Sequence, residues 1–83
     1  MLQFEGFQFI VADPSYCDGQ PRIVGTRITV AAILTYLAGG LSVENIVEEF
    51  PKLTKEKVYQ AVAFAATNFR DRYIPLKRAK SAA

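Results

Sequence analysis

Histidine is absent from this chain of 83 residues, and cysteine occurs once, at Cys17. The first absence removes the commonest general base and metal ligand. The second removes any internal disulfide and any paired-cysteine metal site, which fits a reducing, cytoplasmic setting. A lone thiol with no imidazole to activate it is read as a small, half-buried side chain. Long apolar runs are also lacking: none approaches the ~18 residues of a membrane-spanning helix. The segment Met1-Leu2-Gln3-Phe4-Glu5 has neither the basic region nor the apolar core of a signal peptide. No phosphate-type glycine loop is present. Glu48 and Glu49 are neighbours on a helical pattern, so they point in different directions and form a solvated face. Catalysis is therefore not expected, nor is a metal or cofactor.

What the chain does have is apolar surface, with 51% of its residues hydrophobic. So short a chain forms one domain and buries only about 60–65% of the surface it exposes when unfolded. Ordering costs roughly 1–2 kcal/mol per residue for the backbone alone. Part of the apolar surface is thus expected to be covered in a homodimer or hetero-oligomer. The net charge of +2 is unevenly spread. Residues 1–69 carry Arg22, Arg27, Lys52, Lys55 and Lys57 against Glu5, Asp13, Asp18, Glu44, Glu48, Glu49 and Glu56. Residues 70–83 carry Arg70, Arg72, Lys77, Arg78 and Lys80 against Asp71. A mildly acidic body therefore precedes a basic tail.

The run Phe7-Gln8-Phe9-Ile10-Val11 alternates and then turns continuously apolar, which predicts a strand ended by Asp13-Pro14. Ser15 to Gln20 reads as a loop. Arg22 to Ile28, interrupted by Gly25, predicts a second short strand or a bent extended segment, paired antiparallel with the first. Thr29 is a good N-cap for a helix whose apolar face is Val30, Ile33, Leu34 and Leu37, and Gly39-Gly40 ends it. Ser42 caps a second helix with the face Val43, Ile46, Val47 and Phe50, stopped by Pro51. Thr54 caps a third, whose core stripe is predicted to be Val58, Ala61, Val62, Ala65 and Phe69. Tyr59, Ala63, Phe64 and Ala66 make this helix apolar nearly all round, so it is buried on more than one side. Either a second chain or the ribbon and tail cover its other face.

Two units follow: a β-ribbon plus three-helix bundle over residues 1–69, and a basic, partly apolar C-terminal tail over 70–83. Pro75 prevents the whole tail from being helical. Its apolar centre, Tyr73-Ile74-Pro75-Leu76, lies between two basic clusters. A ribbon and three short helices, two of them joined by the tight turn Pro51-Lys52-Leu53, have the sequence form of a helix-turn-helix bundle.

The residues carry a more specific likeness. The pattern Gly19-x-Pro21-x-Ile23-x-Gly25-Thr26-Arg27-Ile28-x-Val30 is followed by Ile33-Leu34-x-x-Leu37-Ala38-x-Gly40. Then come Ile46-x-x-x-Phe50-Pro51-x-Leu53-Thr54 and Val58-x-x-Ala61-x-x-Phe64-Ala65. Over roughly residues 7–69 this resembles the small bacterial family catalogued as domain of unknown function four-three-three, with a departure at Asn45, where an acidic residue is more usual. The resemblance implies a mainly α fold, a homeodomain-like three-helix bundle with a short N-terminal β-ribbon. It also implies an antitoxin-like role beside a neighbouring gene for a PIN-like nuclease toxin. Gly25-Thr26-Arg27 match the family's Gly-Thr-Arg and are read as a structural motif. Gly25 supplies an unusual backbone angle, Thr26 bonds to the turn, and Arg27 ties the ribbon to Glu48, Glu49 or helix-end carbonyls.

The expected function is binding and neutralising that nuclease, with operator DNA binding for autoregulation as an addition. The partner-binding residues would be Arg70, Arg72, Tyr73, Ile74, Leu76, Lys77 and Arg78. Their cations would pair with the carboxylates that hold the nuclease's metal; alternatively the third helix makes the main contact and the tail adds affinity. The other expectation is a small helix-turn-helix regulator, or a general protein-interaction module with no nuclease partner. The second helix of that motif would then offer Lys52, Lys55, Lys57 and Gln60 to DNA, the lysines at phosphates, although it has no arginine in its first turns to read guanine and neighbouring glutamates oppose the contact.

Overall fold

In the computed structural model the described residues are 1–70. Three strands come first in a single antiparallel sheet of order β1-β2-β3: β1 (Leu2–Phe4), β2 (Phe7–Ala12) and β3 (Arg22–Ile23). Helices α1 (Val30–Ala38), α2 (Val43–Glu49) and α3 (Lys55–Arg70) follow. The fold is therefore α+β, with a three-stranded sheet laid against the helices. This corrects the expectation of a mainly α, homeodomain-like helix-turn-helix bundle with a short ribbon. The physical reason lies in the aromatic residues on both sides of the first turn. Phe4 and Phe7 meet Phe64 of α3 edge to face, at centroid separations of 4.7 and 5.2 Å. The sheet is thereby seated on α3 itself, and α3 packs against α1, α2 and β2.

Strand β1 was not anticipated. It joins β2 through Glu5-Gly6, where Gly6 takes a φ of +83°, and the pairing runs Leu2 to Ala12 and Gln3 to Val11 before slipping at Phe4. Strand β3 is shorter than expected. The chain folds back on itself at Gly25, whose φ is +78°. Ile23 N donates to Ile28 O (2.9 Å), and Arg22 bridges to Thr29. The supposed second strand is thus a tight hairpin, with Arg22–Ile23 paired to β2 on one side and to its own return on the other. The loop before it contains a short left-handed turn at Cys17–Gly19, with Cys17 and Asp18 at φ of 53° and 55°.

The helix starts follow the sequence. Ala32 N donates to Thr29 Oγ1 (3.0 Å), and Lys57 N to Thr54 Oγ1 (3.2 Å). Ser42 and Asn45 form a reciprocal capping box, at 3.0 and 3.1 Å. Asparagine thus does the work of an acidic residue there, because its carbonyl oxygen accepts from the Ser42 amide. Gly40, at φ +103°, ends α1. Phe50 is extended before Pro51 and ends α2, as the residue ahead of a proline must be.

The core gathers Ile10 and Ile23 from the sheet, Val30 and Ile33 from α1, and Ile46 from α2. Leu53 from the α2–α3 turn joins them, with Val58, Ala61 and Phe64 from α3. The buried line of α3 is therefore Val58, Ala61 and Phe64. Val62 and Phe69, expected in that stripe, are exposed, because the sheet draws Phe64 inward and rotates them away.

Candidate functional site

The Gly25–Thr26–Arg27 turn closes the hairpin beside Tyr16 and Arg22. The Thr26 hydroxyl donates to Ile23 O (2.8 Å) and accepts from Ile28 N (3.0 Å), closing the hairpin from within. A β-branched side chain with a hydroxyl can serve both groups at once. The closure directs Arg27 away from α2. Its Nε donates to the Tyr16 hydroxyl (2.8 Å), and its guanidinium stands 5.6 Å from that ring's centroid. The expectation that Arg27 would tie the ribbon to Glu48, Glu49 or a helix end is thereby corrected: its partner is Tyr16.

Arg22 lies nearer still to that ring, 4.4 Å from its centroid. With Lys52, Met1, Val24 and the turn, Tyr16, Arg22 and Arg27 line an open depression of about 590 Å³. Sequence reasoning missed Arg22 and Tyr16. Arg22 opens the short alternating run Arg22-Ile23-Val24, and such a position normally faces water. Hydrogen bonding on both sides of β3 instead leaves it only 8% exposed. The nearby Asp13 carboxyl sits below its ordinary value, chiefly because it accepts from the Ser15 amide (3.0 Å) and hydroxyl (2.8 Å). The Met1 amino group and Arg22 add smaller contributions to that lowering.

Three of the four residues expected at a DNA surface, Gln60, Lys55 and Lys57, have side-chain partners within the fold. Gln60 Oε1 accepts from Phe9 N of β2 (2.6 Å). Lys55 pairs with Glu44 across an exposed 3.4 Å, and the Lys57 ammonium donates to Lys52 O (3.2 Å). Lys52 itself joins the rim of the depression. Of the expected partner-binding residues, Arg70 closes α3. Arg72, Tyr73, Ile74, Leu76, Lys77 and Arg78 lie outside the described residues.

One further surface stands out. Tyr59 (57% exposed), Val62 and Phe69 (61% exposed) lie at helical spacing on α3, with exposed Ala63 and Ala66 between them. They form a continuous apolar stripe facing away from the core. No helix among the described residues is long and apolar enough to cross a membrane.

A three-stranded sheet seated on three helices, with a hairpin closed by threonine and a basic depression beside it, defines a small α+β domain. Residues 10–65 match the model of a family described as protein of unknown function (DUF433), and the chain belongs to that family. A crystal structure of a DUF433 member protein from Anabaena variabilis ATCC 29413 superposes with a TM-score of 0.71 at 31% identity, covering 75% of this chain and 61% of that one. An uncharacterized protein, y4eO, from Sinorhizobium fredii (strain NBRC 101917 / NGR234) is 33% identical over 61 residues. Those residues are 74% of this chain but 28% of that protein, so the chain spans well under half the length of this curated relative.

Proposed function

We propose that this protein is an antitoxin-like binding module that neutralises a PIN-like nuclease encoded beside it, with the outer face of α3 as the main contact. The observation that carries the reading is the exposed apolar stripe Tyr59–Val62–Phe69. Stripes of this kind, with small residues between large ones, suit a partner helix or groove. The stripe runs toward the C-terminal end of α3, and the basic residues of the tail follow directly in sequence. A partner whose active site is a cluster of metal-binding carboxylates offers the matching charge, and Arg70, Arg72, Lys77 and Arg78 supply cations that compete with its metal. Operator binding forms no part of the proposal, because Gln60 and Lys55 are engaged with Phe9 and Glu44.

The test is co-purification of the full chain with the nuclease from the neighbouring gene, together with an RNA-cleavage assay. Wild-type protein should form a complex and suppress cleavage. Tyr59→Glu combined with Val62→Glu should abolish both while leaving the melting temperature unchanged. A nuclease that is neither bound nor inhibited would overturn the reading. Self-association through the same stripe without nuclease binding would favour a general interaction module instead.

A further inference from the structure

Arg22 is the one charged side chain buried among the described residues. Its Nε has no hydrogen-bond partner. Among those residues the only ion pair is Lys55 with Glu44, so no carboxylate is ion-paired with Arg22. A buried guanidinium without an anion is costly, because burial removes the water that would otherwise solvate it. The Tyr16 ring at 4.4 Å offsets part of that cost by a cation–π contact. Asp13, the carboxylate that feels Arg22, is held by Ser15 and makes no ion pair with it. Arg27 and Lys52 then add two more cations to the same depression.

We propose that this depression is a binding site for a phosphate dianion, either free phosphate or a terminal phosphate monoester. Three side-chain cations partly offset by one carboxylate call for a doubly charged ligand. A phosphate group carries about −1.5 to −2 at neutral pH, whereas a carboxylate carries one charge. Planar arginine forks match phosphate oxygens in geometry as well as sign. The Tyr16 ring is already occupied by the guanidinium groups of Arg22 and Arg27, so recognition falls on the phosphate rather than on an aromatic ring attached to it. The site lies away from the α3 stripe and stands independently of the proposed nuclease partner.

The experiment is a ¹H–¹⁵N NMR titration of the full chain with inorganic phosphate, methyl phosphate and acetate. Sodium chloride holds the ionic strength constant. Both phosphates should produce saturable shifts centred on Tyr16, Gly25, Thr26 and the Arg27 Nε–H, and acetate should not. Arg27→Gln and Lys52→Gln, both at exposed positions, should each weaken binding about tenfold, as expected for one lost charge-assisted hydrogen bond. Tighter binding of methyl phosphate would identify a terminal monoester as the ligand class; equal or weaker binding would identify free phosphate. Absence of saturable shifts would overturn the assignment. So would acetate binding as well as phosphate, or shifts undiminished in both variants.

Discussion

Gln60 offers the sharpest test of how the sheet is held on α3. Its side chain crosses from the helix to accept the Phe9 amide at 2.6 Å, beyond the end of β3, while Phe9 O takes the Val24 amide at 2.8 Å. Gln60→Leu preserves size and removes the acceptor. A buried donor left unpaired costs about 1–3 kcal/mol. Because the group is only part-buried, water reaches it and the expected loss is about 1–2 kcal/mol. For a domain of this size each kcal/mol lowers the melting temperature by about 4–8 °C. Circular dichroism should therefore show a drop of roughly 4–16 °C, and hydrogen exchange should show the Phe9 amide losing protection before its neighbours. Gln60→Glu keeps an acceptor and should stay near wild type at neutral pH. A Leu variant that melts with the wild type, with its Phe9 amide equally protected, would refute the reasoning and return Gln60 to the surface.

Other positions give independent checks. Ile33 is fully buried between the sheet and the helices, so Ile33→Ala should cost about 2–5 kcal/mol in urea denaturation. A loss below about 1 kcal/mol would mean that the core there is looser than the structure implies. Gly25→Ala probes conformation alone, since an added Cβ has nothing within 4 Å. It should cost about 1–2 kcal/mol by thermal melting, with Gly25→Asn recovering part of that, and equal stability would contradict the left-handed turn. Asp13 and Glu44 both titrate below their ordinary values of 3.8 and 4.5, Asp13 through the Ser15 amide and Glu44 chiefly through its own backbone amide, with Lys55 second. A depressed carboxyl stabilises the fold above its unfolded value and stops doing so as pH falls through the folded one. Replacing both by the amides should flatten the acid limb of stability against pH, and an unchanged limb would refute the assignment.

The helices were legible because their signals are local. Thr29, Ser42 and Thr54 each bond to an amide three residues on, and Gly40 sits where a left-handed residue ends a helix. The layering was not legible. An α2–turn–α3 pair reads the same in sequence whether α3 is presented to a groove or covered by a sheet. What decides between them is the contact of Phe4 and Phe7 with Phe64 and of Phe9 with Gln60, between residues more than fifty positions apart. Strand β1 was overlooked for a related reason. Three residues before a glycine turn carry almost no periodic signal, and only pairing with β2 makes them a strand. The run Arg22 to Ile28 was legible in part: Gly25 marked the bend and Thr26 its local bond, but not how tightly the chain turns back. Its β-branched residues favour an extended chain, but the Thr26 hydroxyl folds it back within the run.

The candidate site was visible only in its outline, and charge explains why. Counted along the chain, the anions of residues 1–69 outnumber the cations, which argues against a basic surface. Folding undoes that cancellation. Glu44, Glu48 and Glu49 stay on exposed α2, and the last two line a different depression with Tyr36 and Phe50. Arg22, Arg27 and Lys52, thirty positions apart at their extremes, converge on Tyr16 with no glutamate among them. The Gly25 turn brings this about. Its closure by Thr26 carries Arg27 back to the side of Arg22, and pairing of β3 on both edges holds Arg22, 8% exposed, in the wall of the depression. A linear charge count averages over separations that the fold makes real. The signal that finds the site is the three-dimensional one, a buried guanidinium with an unsatisfied nitrogen and no carboxylate paired to it.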